Sequence, residues 1–271
     1  MPLVFRILLV ALITATCGGA PAPAPDPLAG VYSIGGGDAA LSVVQALADA
    51  FAAKHAGVKF TYDTSLGSDG GVNLAAQHVV DLGMASRELT AAENEIVDHV
   101  LVGVAGTGLV VHQTNTLRDL TTAQVESIYS GKVNDWSVLG LSKTLPIIPL
   151  VREIGSSARA TFENYVYGGR PTYGGGVLEI QGGDQIRKAV AGQPGAVGMV
   201  GVTGDEVSPP GTRIVTIDGI SPTKVALRDG TYKLSRPLYL VYARKGEQRP
   251  GIVGFLEFIR SADGQRIIDR F

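Results

Sequence analysis

The chain nearly lacks cysteine: Cys17 stands alone among 271 residues. A disulfide framework is therefore excluded, and so is a thiolate metal centre. Histidine is also sparse. His55, His78, His99 and His112 are scattered without ligand spacing, which gives zinc no support. No lysine or arginine cluster appears and the formal net charge is -2, which argues against nucleic acid as a partner. No apolar run is long enough to span a bilayer. No Gly-x-Ser-x-Gly elbow is present, and Gly35-Gly36-Gly37 does not extend to a dinucleotide fingerprint. Enzymes built on those devices have no support in the residues.

Glycine, by contrast, is plentiful at 36 residues, without a repeat period. Three glycine- and serine-rich stretches sit where a strand should hand over to a helix. They are Gly35-Gly36-Gly37-Asp38, Gly67-Ser68-Asp69-Gly70-Gly71 and Gly155-Ser156-Ser157. Each follows a β-type run: 31–34, 58–62 and 147–151. The first turn of a helix leaves backbone N–H groups without partners and carries positive partial charge. Small residues let an anion approach those groups. With Arg152 just ahead of the last loop, the three together point to a small oxyanion held between converging helix ends.

The front of the chain reads as a targeting segment. Residues Leu3 to Ala15 are apolar, with Arg6 near the start, and suit a signal-peptide core. Cys17 followed by Gly18 and Gly19 resembles the lipobox of bacterial lipoproteins, in which the cysteine is acylated. Ordinary cleavage near Ala20 is the alternative. The expected organisation is a signal peptide over 1–17 and a proline-rich spacer over 18–29, ahead of a folded body. That body is expected to be exported, to lie in the cell envelope, and to touch a membrane only through a lipid anchor.

Strand and helix signals alternate along the body. Ala39 to His55 has helical spacing, with Leu41, Val44, Leu47, Ala48 and Phe51 on one face. Helices are expected over 72–78, 90–98, 121–129, 158–167, 185–190 and 252–259, with a capping box at Thr90 and Glu93. Strands are expected over 79–84, 100–111, 197–200, 214–217 and 238–242. Alternation of this kind implies an α/β fold whose ligand sits beyond strand ends, at helix N-termini.

Six segments then resemble, in order, one known family, the phosphate-binding proteins of high-affinity phosphate ABC importers. Gly67-Ser68-Asp69-Gly70-Gly71-Val72 resembles "GSSGGV", and Asp81-Leu82-Gly83-Met84-Ala85-Ser86-Arg87-Glu88-Leu89 resembles "DIGMSSREL". Residues 129–136 resemble "FSGKITNW", 152–162 resemble "REEGSGTRDTF", 189–198 resemble "AVAGTPGAIG", and 234–239 resemble "LSRPLY". The resemblance implies the two-lobed periplasmic-binding-protein fold of type II, with the ligand cleft between lobes joined by two crossover strands. Lobe one is expected over 30–111 and 237–271, lobe two over 112–236.

Carried over by position, the ligand residues implied are Gly37, Asp38, Ala39, Ser68, Ser86, Arg87, Arg152, Ser156, Ser157 and Ala158. The chain departs from the family pattern at Asp38, where a threonine is common, at Asp69, and at Ala158, where a threonine hydroxyl is lost. Each residue also has a plainer reading. Arg152 suits bidentate contact with two phosphate oxygens, or an ion pair with Glu153 or Asp184. Arg87 suits an anion or a surface pair with Glu88 or Glu93. Ser68 and Asp38 suit helix caps as well as ligand contact, and Asp38 is the first candidate to accept a phosphate proton, Asp69 the second. Trp136 is expected to pack under a loop. The implied function is capture of inorganic phosphate for an ABC permease by a monomer without cofactor, metal or catalysis. Another tetrahedral oxyanion, or a sensor or adhesion role on the same fold, is the alternative.

Overall fold

The computed structural model describes residues 26–204, 208 and 210–271. The expected signal peptide, Cys17 and most of the proline-rich spacer lie outside the described residues. In chain order the elements are β1 (Gly30–Gly36), α1 (Leu41–Ala52), β2 (Val58–Asp63), α2 (Gly67–Ala76), β3 (Leu82–Ala85), α3 (Ala91–Asn94) and β4 (Val97–His112). Next come β5 (Asp119–Leu120), α4 (Thr122–Tyr129), β6 (Ile148–Arg152), α5 (Ser157–Tyr167), β7 (Leu178–Ile180), α6 (Gly183–Gly192) and β8 (Ala196–Val202). The last are β9 (Thr212–Ile217), α7 (Lys224–Arg228), β10 (Ser235–Ala243), α8 (Pro250–Arg260) and α9 (Ala262–Ile268).

The strands run in the order β2-β1-β3-β10-β4-β8-β6-β7, with β9 also on β4 and β5 on β9. The pairs β1–β2, β1–β3, β6–β7 and β6–β8 are parallel, as strand–helix–strand crossovers require. The pairs that β10 makes with β3 and β4, and that β4 makes with β8 and β9, are antiparallel. The long strand β4 serves two neighbourhoods. Its residues from Val97 to Gly106 pair with β10, and those from Gly106 to Val111 pair with β8. This is the two-lobed binding-protein fold, with β4 and the head of β10 passing between lobes.

Period-two alternation explains how each lobe covers both faces of its sheet. On β4, Leu109 and Val111 enter one core with Tyr129, Trp136, Phe162, Met199 and Tyr232. Val110, between them, faces the opposite core with Leu150, Ile186, Val190 and Val200. In the other lobe, α1, α8 and α9 cover one face through Leu47, Phe51, Phe255 and Ile259. There α2 covers the reverse face through Val72 and Ala75 against Ala85 and Val241. The helical face expected for α1 is the buried one, with Val44, Leu47, Ala48 and Phe51 inside.

The Thr90 capping box is formed in full. Thr90 Oγ1 accepts from the Glu93 N–H at 3.2 Å, and Glu93 Oε2 accepts from the Thr90 N–H at 2.8 Å. Trp136 is fully buried and donates Nε1–H to the Gly195 carbonyl at 2.9 Å. Three expectations shift, the first at α3, which ends at Asn94 rather than 98 because the chain from Val97 already pairs into β4. Helix α2 begins at Gly67, ahead of the expected start at Val72, and β3 begins only at Leu82. Glycine is what lets α2 lie so close to the sheet: a Cβ on Gly71 would stand 2.8 Å from the Gly35 carbonyl oxygen, and one on Gly83 2.3 Å from that of Gly71. This close approach draws the first turn of α2 to the ends of β1 and β3, where Ser68 is needed.

Candidate functional site

One cleft of about 940 Å³ collects residues from both lobes. Four helix beginnings open onto it. Gly37, Asp38 and Ala39 form a 3-10 turn running into α1, Gly67 and Ser68 begin α2, and Ser156, Ser157 and Ala158 begin α5. The fourth is Gly182, Gly183, Asp184 and Gln185, at the start of α6. Their first-turn N–H groups lack intrahelical acceptors and carry the positive ends of the helix dipoles. Such a cleft is a cradle for an anion, and its volume far exceeds one tetrahedral oxyanion, as an open cleft between lobes would.

The hydroxyls are fixed by backbone partners. Ser68 is not the cap of α2, whose N-cap position is Leu66 with no side-chain cap. Instead Ser68 Oγ accepts the Ser86 N–H at 3.0 Å, tying α2 to the end of β3 and leaving its own proton for a ligand. Ser156 caps α5, accepting the Arg159 N–H at 3.4 Å. Thr107 Oγ1 donates to the Ala158 carbonyl at 2.9 Å, which fixes the first turn of α5 to the crossover strand β4.

Eight of the ten expected ligand positions line this cleft: Gly37, Asp38, Ala39, Ser68, Arg152, Ser156, Ser157 and Ala158. Two do not. Ser86 is fully buried behind Ser68, with its Oγ bonded to nothing among the described residues. Arg87 turns away into an ion-pair cluster. It donates to Glu93 at 2.7 and 2.8 Å, to Asp69 at 2.5 and 3.1 Å, and to the Glu88 carbonyl at 2.9 Å. That cluster lines a second recess, which shares Arg236 with the main cleft. The Arg87 guanidinium holds the Glu93 carboxyl down to about 2, and the same pair pushes the Arg87 pKa upward. Asp69 is likewise removed as a proton acceptor, its side chain 84% exposed and committed to Arg87. Asp38 stays at the cleft, exposed, its carboxylate without a hydrogen bond among the described residues.

Arg152 realises both of its readings. It lines the cleft, yet its Nε and Nη2 grip Glu153 at 2.9 and 2.7 Å. Glu153 Oε2 also accepts the Gly182 N–H at 2.9 Å, so this carboxylate sits among donors of the kind an oxyanion would use. The Arg152 fork, before all else, lowers the Glu153 pKa to about 2.

Sequence reasoning named Glu153 only as a partner for Arg152 and missed Arg187, Arg236 and the α6 loop, all of which line the cleft. The signal for the α6 loop was Gly182-Gly183 after a short strand. Arg236 lay in plain view inside the Leu234–Tyr239 motif, but only the fold brings it to the cleft. It is 5% exposed and donates Nη1–H to the Gly106 carbonyl at 3.0 Å and to Thr107 Oγ1 at 2.8 Å. Burial, then the nearby Arg152, lower its pKa to about 10, and Asp38 opposes that shift.

A family profile described as the PBP superfamily domain matches residues 21–263. A protein of Bacillus subtilis named phosphate-binding protein PstS is 27% identical over 287 residues, covering 98% of this chain and 91% of its own. A solved Clostridium perfringens structure, described as a putative phosphate ABC transporter substrate-binding protein with bound phosphate, is 29% identical. It superposes with a TM-score of 0.77 over 89% of this chain and 97% of its own. An ABC-type phosphate transport receptor from Vibrio cholerae shares the fold at 22% identity, with a TM-score of 0.72 over 88% of this chain and 97% of its own. These relatives are named as binding proteins or receptors, not as enzymes.

Proposed function

The chain belongs to the PBP superfamily, and from that premise we propose that it is a solute-binding protein that captures inorganic phosphate between its lobes for an ABC importer. The observation that carries the reading is the convergence of four helix N-termini, two serine hydroxyls and arginine on one interlobe cleft. Closure surrounds the anion with N–H, hydroxyl and guanidinium donors and excludes water, which strengthens each contact. No bond is made or broken. The closed pair of lobes forms the face that a permease reads.

The acids of the cleft favour phosphate over a fully ionised oxyanion. Asp38, Glu153 and Asp184 line it beside Arg152, Arg187 and Arg236. Near neutral pH phosphate keeps a proton to donate to a carboxylate, whereas sulfate has none. The partner change at Gly106 supports a lobe boundary there, ahead of Val111, and Ser235 marks the return. Export by the N-terminal segment and anchoring through Cys17 complete the reading. Among the described residues no helix is long and apolar enough to cross a membrane.

Titration calorimetry of the unlipidated body against phosphate, arsenate, sulfate and molybdate tests the assignment. We expect saturable binding of phosphate and arsenate and little of sulfate. Absence of heat with phosphate, or a preference for sulfate, refutes it.

A further inference from the structure

We propose that Arg236, rather than Arg152, supplies the positive charge that the captured anion neutralises. The proposal rests on reading the cleft as an oxyanion site and adds a ligand residue to it. Arg152 arrives with its own counter-ion: the fork on Glu153 makes that pair neutral as a unit. Arg236 has none. Its hydrogen-bond acceptors are the Gly106 carbonyl and the Thr107 hydroxyl, both uncharged, and no carboxylate pairs with it among the described residues. Its Nε is buried and bonded to nothing, and Nη2 makes no hydrogen bond among the described residues. A buried guanidinium without a counter-ion is a costly arrangement, stable only where the rest of the fold enforces it. Burial and Arg152 both disfavour its charged form, and the Asp38 carboxylate, which makes no hydrogen bond to it, offsets them only in part. An anion entering the cleft relieves both effects.

The position is built rather than incidental. Arg236 stands at the head of β10, where the chain passes between lobes, and its anchor Thr107 also holds the first turn of α5. The guanidinium is thus fixed relative to the helix beginning that presents Ser157 and Ala158.

The test compares three variants of the unlipidated body by phosphate calorimetry, each beside a melt of the ligand-free protein. Arg236→Met should weaken phosphate binding about a thousandfold without lowering the ligand-free melting temperature. Arg236→Lys, which keeps the charge, should lose about tenfold or less. The double variant Arg152→Met with Glu153→Gln, which leaves the net charge unchanged, should lose about tenfold. Should Arg236→Met not fold, Arg236→Gln keeps a donor for the Gly106 carbonyl and serves in its place. Phosphate affinity of Arg236→Met within threefold of wild type, or equal losses in the double variant and in Arg236→Met, overturns the proposal. A wild type silent to phosphate but responsive to sulfate refutes the phosphate reading alone, and the same comparison run with sulfate then decides Arg236. A wild type silent to every oxyanion refutes both.

Discussion

Replacing Arg152 by alanine does two things at once, and the structure allows them to be separated. It deletes a guanidinium on the cleft wall whose side chain is 11% exposed, and it strips Glu153, 26% exposed, of its fork at 2.7 and 2.9 Å. Losing one charge-assisted contact in a closed cleft and meeting one unpaired carboxylate together cost roughly 2–4 kcal/mol, or about 30- to 1,000-fold in affinity. The repulsion of the incoming anion by the orphaned Glu153 carboxylate is moderated only by the Gly182 N–H at 2.9 Å. Arg152→Ala should therefore lose phosphate affinity by about 30- to 1,000-fold while its circular-dichroism spectrum stays native. Adding Glu153→Gln should restore about tenfold, because the repulsion is removed while the missing contact is not. Calorimetry on the wild type, both single variants and the double variant closes the cycle. Affinity within threefold of wild type for Arg152→Ala, or no recovery in the double variant, refutes the reasoning.

Asp38→Asn should weaken phosphate modestly and raise the affinity for sulfate relative to it, since an amide has a donor where the carboxylate had none. An unchanged phosphate-to-sulfate ratio in competition binding removes Asp38 from selectivity. If Cys17 is acylated, full-length protein should partition into detergent and Cys17→Ser should shift it to the aqueous phase, with phosphate binding intact. Aqueous wild-type protein ends the lipoprotein reading. The carboxyls of Glu93 and Glu153 are each held at about 2, below the ordinary 4.5, so the stability they contribute is present above about 4.5 and lost as pH falls toward about 2. Together they should remove a few kcal/mol between pH 5 and 2.5 in denaturant titrations, and Glu93→Gln should flatten part of that slope. A wild-type stability constant over this range contradicts both pairings.

The parts of the site legible in the sequence are those whose signal is local. A strand, a glycine and a small hydroxyl residue in a row placed Ser68 and the Ser156–Ala158 turn, since helix geometry follows from neighbours along the chain. Helix geometry also separates Ser68 from Asp69. Adjacent residues point about 100° apart, so one is buried at the cleft while the other faces solvent. The α6 loop was harder to see because β7 is three residues long with Leu178 exposed, and such a strand lacks the apolar run that marks a buried one. The fate of Arg87 was legible only as one of two readings, the pair with Glu93, and that of Arg236 not at all. Both are arginines in family-like motifs, and only tertiary placement gives one two carboxylates and the other none.

The strand order has a consequence for how the molecule comes into being. In the sheet, β10 lies between β3 and β4, although it is the last strand to be synthesised. Until residues 235–243 leave the ribosome, β3 and β4 have no common neighbour, and the sheet of the first lobe stays in two pieces. The helices α8 and α9, which close the core around Phe51, come later still. Nearly the whole chain therefore exists before its first lobe can be completed. For a chain read as crossing a membrane unfolded, that delay keeps the polypeptide threadable until translation is almost over.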